Sequence, residues 1–192
     1  MNLIRFSVLI LVLGLFAGCD EYVPTPRKHA FPRMDLPTQD ERDYLPLNLE
    51  SCPFNFSYPV GGNIEGKMKD SCVMDINFPA YNLTWHLTYR HIPTSGKPHG
   101  VHFEEFRRLI YKHAKKGRIQ EANYQTPAGQ GRWFEIYGEV GTPAQVFFTD
   151  SLQENLLMIS MYYQDATTRD SLQPLTNYMK EELDHAFQTL NW

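Results

Sequence analysis

Histidines are the residues of this sequence whose type and spacing come nearest to a chemical site. His99 and His102 are separated by two residues in a stretch rich in Gly and Pro, and His86 and His91 lie shortly before them. Imidazole nitrogens bind zinc, usually within a set of four ligands. No Cys or carboxylate completes a recognisable set here. We therefore expect surface or half-buried histidines, and we predict no metal site and no cofactor.

Two adjacent glutamate pairs, Glu104-Glu105 and Glu181-Glu182, are the candidates for acid–base chemistry. Both pairs fall in stretches with helical periodicity, where adjacent side chains point about 100° apart and do not converge on one atom. The sequence contains no Gly-x-Ser-x-Gly motif, no Ser-x-x-Lys motif and no glycine-rich phosphate loop. We therefore predict no catalytic residues and expect that the chain is not an enzyme.

The amino terminus predicts export. Residues 1–5 carry one positive charge, residues 6–16 are almost entirely apolar, and small residues precede Cys19. This order is typical of a signal peptide, and the apolar run is shorter than the roughly 20 residues of a spanning helix. The small residues before Cys19 resemble the lipobox of bacterial lipoproteins, although Phe16 stands where Leu is usual. The resemblance implies cleavage after residue 18 and a lipid on Cys19; an ordinary secretory signal is the alternative.

Cys52 and Cys72 remain once Cys19 is assigned to lipid. An even pair of cysteines in an exported protein is typical of a disulfide, because export compartments are oxidising. A metal pair is the alternative, but it would lack both a Cys-x-x-Cys spacing and a nearby histidine. A bridge would stabilise the fold by roughly 3 kcal/mol through loop closure.

Two triplets of acid, hydroxyl and aliphatic residues, 150–152 and 170–172, resemble O-glycosylation acceptors of exported Bacteroidota proteins. The resemblance implies a glycan on Ser151 first and on Ser171 second. The alternative is structural, since Asp-Ser is also a common helix cap or turn.

The charge balance argues against a polyanionic partner. The chain has 18 basic and 22 acidic residues, and loss of residues 1–18 removes one basic residue, which leaves a net charge of −5. The most basic stretch, residues 112–118, resembles the solvated end of a helix. Proteins that bind nucleic acid usually carry a basic patch, so we predict no nucleic-acid partner.

Residues 19–50 are predicted to be the lipidated Cys and a tether, followed by a single folded domain at residues 51–192. Prolines and charged residues interrupt any regular element in the tether and keep such segments extended. The prolines are Pro24, Pro26, Pro32, Pro37 and Pro46.

Strand periodicity is clearest at residues 81–89, where apolar and polar residues alternate. The apolar side consists of Tyr81, Leu83, Trp85, Leu87 and Tyr89. Further strands are predicted at residues 54–58, 73–78, 119–126, 132–140, 144–149 and 156–163. Short turns between the later strands favour antiparallel hairpins.

Two helices with an apolar stripe complete the pattern. The first begins near residue 103 and ends at Gly117, and the second covers about residues 170–191. The order of strands, helix, strands, helix predicts an α+β domain: a mainly antiparallel β-sheet with both helices packed on one face. By analogy this arrangement is similar to the PsbP/Mog1 architecture.

Several segments resemble the gliding-motility lipoprotein family GldD of Bacteroidota. They are residues 51–56 (Ser-Cys-Pro-Phe-Asn-Phe), Cys72 with the later Phe78-Pro79, the alternating strand 83–89, residues 138–151, and residues 181–192 with their closing Leu-Asn-Trp. The resemblance covers residues 51–192 together with the lipoprotein leader.

The resemblance implies an envelope lipoprotein needed for gliding and tied to the type IX secretion machinery. Its implied partners are other envelope proteins of that apparatus and, through the lipid, a membrane; the expected location faces the periplasm, with the outer membrane favoured. It implies no enzyme activity, and it supports Cys19, Cys52 and Cys72 as family features. A glycan- or lipid-binding lipoprotein and a cell-wall-acting enzyme are the alternatives.

Overall fold

A computed structural model describes residues 34–66, 72–93, 96, 98–113, 117–138, 140–164 and 172–192. The predicted signal peptide, Cys19 and Ser171 lie outside the described residues. The elements are β1 Tyr44–Asn48, β2 Asn55–Pro59, β3 Asn63–Gly66, β4 Val73–Phe78, β5 Leu83–His91, α1 His99–His113, β6 Arg118–Thr126, β7 Gly129–Tyr137, β8 Ala144–Thr149, β9 Asn155–Tyr163 and α2 Gln173–Gln188.

Seven strands form one antiparallel sheet in the order β3-β4-β5-β9-β8-β7-β6, and β1 pairs with β2 in a separate two-stranded sheet. The large sheet is built from antiparallel neighbours throughout. Strand β5 pairs along its whole length with β9, the central strand of the sheet. The predicted α+β class with a mainly antiparallel sheet is therefore confirmed.

The main core lies between the large sheet and α2. The apolar side of β5, which the alternation predicted, faces this core, and Leu83, Trp85 and Leu87 are fully buried there. Met179, Leu183 and other residues of the α2 stripe complete the core. Burial of such side chains stabilises the fold by about 1.5–3 kcal/mol each.

A second core lies on the opposite face of the sheet, beneath α1. Phe103, Phe106 and Ile110 of α1 pack against Phe134 and Phe147 of β7 and β8. The prediction that both helices cover one face is therefore wrong. The physical reason is that several strands carry apolar residues on both faces, so that each face needs a cover.

Strand β9 shows why two covers are needed. Leu157 and Ile159 are buried in the main core, whereas Leu156, on the other side of the strand, is buried in the second core. One helix on one face would leave the second row of apolar side chains in water.

The predicted boundary between tether and domain at residue 51 is also wrong. Residues Tyr44–Asn48 pair with Asn55–Pro59, and Leu47 is almost fully buried in the main core. Met34 and Leu36 pack against the same core. Pro46 is tolerated because β1 pairs with β2 alone and therefore has an unpaired side, where a missing N–H costs little.

No helix within the described ranges is long and apolar enough to cross a membrane.

Candidate functional site

A row of polar side chains crosses four adjacent strands on the face that α1 shares. Asp75 of β4 lies opposite His86 of β5, His86 lies opposite Ser160 of β9, and Ser160 lies opposite Gln145 of β8. Directly opposite residues have Cβ atoms about 5 Å apart, so neighbouring members of the row are within reach of each other. The strand register, rather than any local motif, creates this cluster.

Hydrogen bonds fix the row. Nδ1 of His86 is 2.6 Å from Oδ1 of Asp75, and Nε2 of His86 is 3.4 Å from the hydroxyl of Thr88. Because a carboxylate only accepts hydrogen bonds, Nδ1 is the donating nitrogen. The Asp75 side chain is 9% exposed and the His86 side chain 33%, so the imidazole forms the accessible end of the pair.

A cavity of about 310 Å³ lies between this row and α1. Both the sheet side and the helix side contribute polar and apolar residues. The lining residues are His86, Thr88, Arg90, His102, Glu105, Phe106, Leu109, Ile110, Gln145, Leu156, Met158 and Ser160. Seven of these twelve residues are polar or charged and five are apolar, so the lining is more polar than that of most small-molecule sites but keeps the combination of apolar and polar groups that such sites use.

The geometry suits binding better than nucleophilic catalysis. Asp75, His86 and Ser160 are the residue types of a hydrolytic triad. However, the Ser160 hydroxyl donates to Oε1 of Gln145 at 3.2 Å, and the Thr88 hydroxyl lies 3.4 Å from Nε2 of His86. A serine nucleophile needs its proton directed at the base. The row therefore presents fixed hydrogen-bonding groups to the cavity.

The structure separates the four histidines that the sequence analysis considered together. His86 and His102 line the cavity, while His91 is exposed at the end of β5. His99 stacks edge-on against Phe147, with ring centroids 5.2 Å apart. Among the residues that the structure describes, no three His, Cys, Asp or Glu side chains are grouped to hold a metal.

His99 is electrostatically unusual. Its Nε2 is buried and has no hydrogen-bond partner within the described part of the chain. Burial first, and the nearby His102 second, lower the pKa of His99, while Asp150 opposes the shift. His99 is therefore neutral in the folded protein at neutral pH.

The two glutamate pairs also separate, as the helical geometry predicted. Glu105 lines the cavity and Glu104 does not. Glu181 is exposed, whereas the side chain of Glu182 is fully buried. Burial raises the pKa of Glu182, although Arg42 opposes the shift with its guanidinium 3.2 Å away.

Arg42 connects the amino-terminal segment to α2, and sequence reasoning missed it. Its guanidinium is 2.8 Å from Glu181 and lies over the ring of Tyr178, 5.0 Å from the centroid. Tyr44 reinforces the contact by stacking on His185 with ring centroids 3.7 Å apart. Arg42 is one of three arginines in the proline-rich segment 19–50, and nothing in the sequence distinguishes it from the other two.

The other predicted sites lie away from the cavity row. Cys52 and Cys72 form a disulfide with Cα atoms 5.5 Å apart. Ser151 is exposed in the turn between β8 and β9, where the Asp150 carboxylate accepts hydrogen bonds from the backbone of Glu154 and Asn155. Asp150 thus has the structural turn role, and glycosylation of Ser151 stays a prediction.

A solved structure shares this architecture. The solution structure of cyanobacterial PsbP (CyanoP) from Synechocystis sp. PCC 6803 is similar with a TM-score of 0.51 and 8% sequence identity, over 77% of this chain and 91% of that chain. At this identity the likeness establishes the fold alone, and it supports a PsbP-like α+β domain. A search of curated proteins finds no significant match.

The family model described as gliding motility lipoprotein GldD matches residues 21–192. The chain therefore belongs to the GldD family of gliding motility lipoproteins, and the family predicted from sequence is confirmed. Membership makes it a lipoprotein of the cell envelope. The match includes every described residue together with residues 21–33.

Proposed function

We propose that this protein is a non-catalytic component of the gliding apparatus and of the type IX secretion associated with it. In this proposal it supports assembly or stability of the apparatus by binding other envelope proteins. A lipid on Cys19 anchors it, and the domain faces the periplasm, with the outer membrane as the favoured site. The observation that carries the proposal is the family match over residues 21–192.

The outer surface of α1 provides a candidate docking surface for a protein partner. Val101 and Tyr111 lie there with 40% and 46% exposure, and the charged residues Glu104 and Arg108 occupy the same side of the helix. Apolar and aromatic residues surrounded by charges are typical of the centre and rim of a protein interface. We call Val101, Glu104, Arg108 and Tyr111 the α1 surface.

The proposal is tested by deleting the gene and restoring it as wild type, Cys19→Ala, Val101→Lys or Val60→Lys. Val60 is 56% exposed in the turn after β2, so Val60→Lys is the matched control for a new charge on an exposed valine. Colony spreading and the profile of secreted proteins are scored at equal protein level. We expect full rescue by wild type and Val60→Lys, and loss of spreading and secretion with Cys19→Ala and Val101→Lys.

Two outcomes would contradict the proposal. Normal spreading and secretion in the deletion strain would remove the role in the apparatus altogether. Full rescue by Val101→Lys would exclude the α1 surface as the docking site. If spreading and secretion were then lost with Cys19→Ala alone, the role of the membrane anchor would still stand.

A ligand-binding lipoprotein is the second candidate function, because the cavity beside His86 combines an apolar wall with fixed polar groups. It is compatible with docking through the α1 surface, which lies on the outer side of the same helix.

A further inference from the structure

We propose that the cavity between α1 and the sheet binds a small amphiphilic carboxylate, that is, an apolar group that ends in one anionic head. This inference does not depend on the docking role. It depends on the charge and polarity of the residues that line the cavity.

The cavity lining supplies the groups that an anion needs. Arg90 lines the cavity and is exposed, and it forms no ion pair with any residue in the described part of the chain. Guanidinium is the preferred partner of carboxylates because its fork of donors matches their geometry. His102 and His86 also line the cavity. Asp75 fixes the orientation of the His86 ring, with Oδ1 2.6 Å from Nδ1.

The apolar residues of the lining fit a hydrocarbon group, and they adjoin Arg90, because Leu156 lies directly opposite Arg90 on the neighbouring strand. Phe106, Leu109 and Ile110 form the helix side, and Leu156 and Met158 form the sheet side. Leu109 is 50% exposed, so this wall continues to the cavity mouth. A volume of about 310 Å³ is at the small end of ligand sites, which restricts the ligand to a short chain or a single ring.

Glu105 allows a test in which removal of a charge should have the opposite effect on binding. It lines the same cavity with a carboxylate that has an interaction of its own in the protein. A like charge weakens the binding of an anion. Removal of the Glu105 charge therefore strengthens carboxylate binding, whereas removal of the Arg90 charge weakens it.

The test uses the full lipidated protein in phosphatidylcholine nanodiscs with ¹³C-labelled methionine methyl groups, observed by NMR. Met158 lines the cavity, and Met161 is fully buried in the main core on the opposite face. Hexanoate is titrated into the sample. Hexanol and hexylamine serve as comparison probes, because they have the same hydrocarbon chain and a different head group. A short peptide that ends in leucine is compared with its carboxamide, to distinguish a free acid from a peptide terminus as the source of the carboxylate.

We expect hexanoate to shift the Met158 methyl signal saturably and to leave Met161 unchanged. Hexanol should bind about tenfold more weakly, and Arg90→Gln should weaken hexanoate about tenfold, as the loss of one charge-assisted hydrogen bond implies. Glu105→Gln should tighten binding a few-fold. Arg118→Gln, which removes a charge from an exposed residue of β6 outside both the cavity and the α1 surface, is the matched control and should leave binding unchanged.

Several outcomes would overturn the inference. These are no Met158 shift with any carboxylate, equal binding of hexanol and hexanoate, tighter binding of hexylamine, or weaker hexanoate binding in Glu105→Gln. An unchanged Met161 signal in each variant shows that the main core is intact, so that lost binding is not lost folding. Because docking is scored by motility, failure of this test leaves the proposed function standing.

Discussion

Asp75 on β4 and His86 on β5 lie directly opposite each other, and Oδ1 of the carboxylate is 2.6 Å from Nδ1 of the imidazole. The pair leaves Nε2 on the side of Thr88 and the cavity. It also explains why a nearly buried carboxylate is tolerated in the middle of a sheet, since a buried charge must be paired.

Removal of this pair should be measurable. We expect Asp75→Ala to lower the free energy of unfolding by about 2 kcal/mol, because it removes a hydrogen bond to a charged group in a shielded position. Urea unfolding followed by far-UV circular dichroism measures the change. Asp75→Asn keeps an oxygen acceptor and should cost less. Equal stability of the wild type and Asp75→Ala would show that the pair contributes nothing to the fold.

Arg42 should be needed because it neutralises the buried Glu182 carboxylate. We expect Arg42→Met to lower the free energy of unfolding by about 3 kcal/mol, since an unpaired buried charge remains. The double variant Arg42→Met/Glu182→Leu should recover most of the loss. Glu181→Gln removes only the exposed partner of Arg42 and should cost less than about 1 kcal/mol. Denaturant unfolding of all variants measures the coupling, and additive losses in the double variant would contradict it.

His99 should make the fold weaker in acid. Its pKa is lowered in the folded protein from the ordinary value, which is about 6.5, so the unfolded chain binds the proton more readily. The stability that depends on neutral His99 is therefore complete above the pKa of His99 in the unfolded chain. It is lost as the pH falls from there through the pKa of His99 in the folded protein.

The measurement is the free energy of unfolding as a function of pH from 8 downward, in steps of about half a unit across the ordinary histidine range. We expect His99→Phe, which retains packing on Phe147, to reduce the loss of stability below pH about 6.5. His91→Gln alters an exposed histidine and should leave the profile unchanged. Identical profiles for wild type and His99→Phe would assign the acid sensitivity to other groups.

Gly131 should not accept a larger side chain. A Cβ atom placed there would be 1.9 Å from the backbone oxygen of Phe147 on the neighbouring strand. We therefore expect Gly131→Ala to destabilise the sheet by about 3 kcal/mol, because backbone must move to make room. Gly66→Ala is the matched control in a strand, since nothing lies within 4 Å of its added Cβ. Thermal unfolding compares the two, and equal melting temperatures would show that β7 adjusts freely.

The Cys52–Cys72 disulfide should stabilise the domain through the loop that it closes. With a sequence separation of 20 residues, the double variant Cys52→Ser/Cys72→Ser is expected to lose roughly 3 kcal/mol. Urea unfolding measures the loss, and a thiol assay on the denatured wild-type protein checks that both cysteines are oxidised. Free thiols in wild-type protein purified from the envelope would contradict the bridge.

The sequence by itself determined most of the local structure and the family. The alternation at residues 81–89 placed Trp85 and Leu87 on a buried side, and the predicted strand at residues 144–149 coincides with β8. These features depend on neighbours within a few residues, which is the range over which strand and helix periodicity acts. The diffuse segment matches identified the family, and the family model confirms it.

Only the tertiary structure decided how distant segments meet. The register of three strands brings Asp75, His86 and Ser160 into one row, although the first and the last are 85 positions apart in the sequence. The same holds for Arg42 and Glu182. Their ion pair connects residues 19–50, which were predicted to be a tether, to α2 of the domain. The sequence also did not determine which face of the sheet each helix covers. A strand that is apolar on both sides does not indicate locally which helix packs on which side. Long-range pairing is fixed by the burial of the whole chain, and a local pattern does not contain that information.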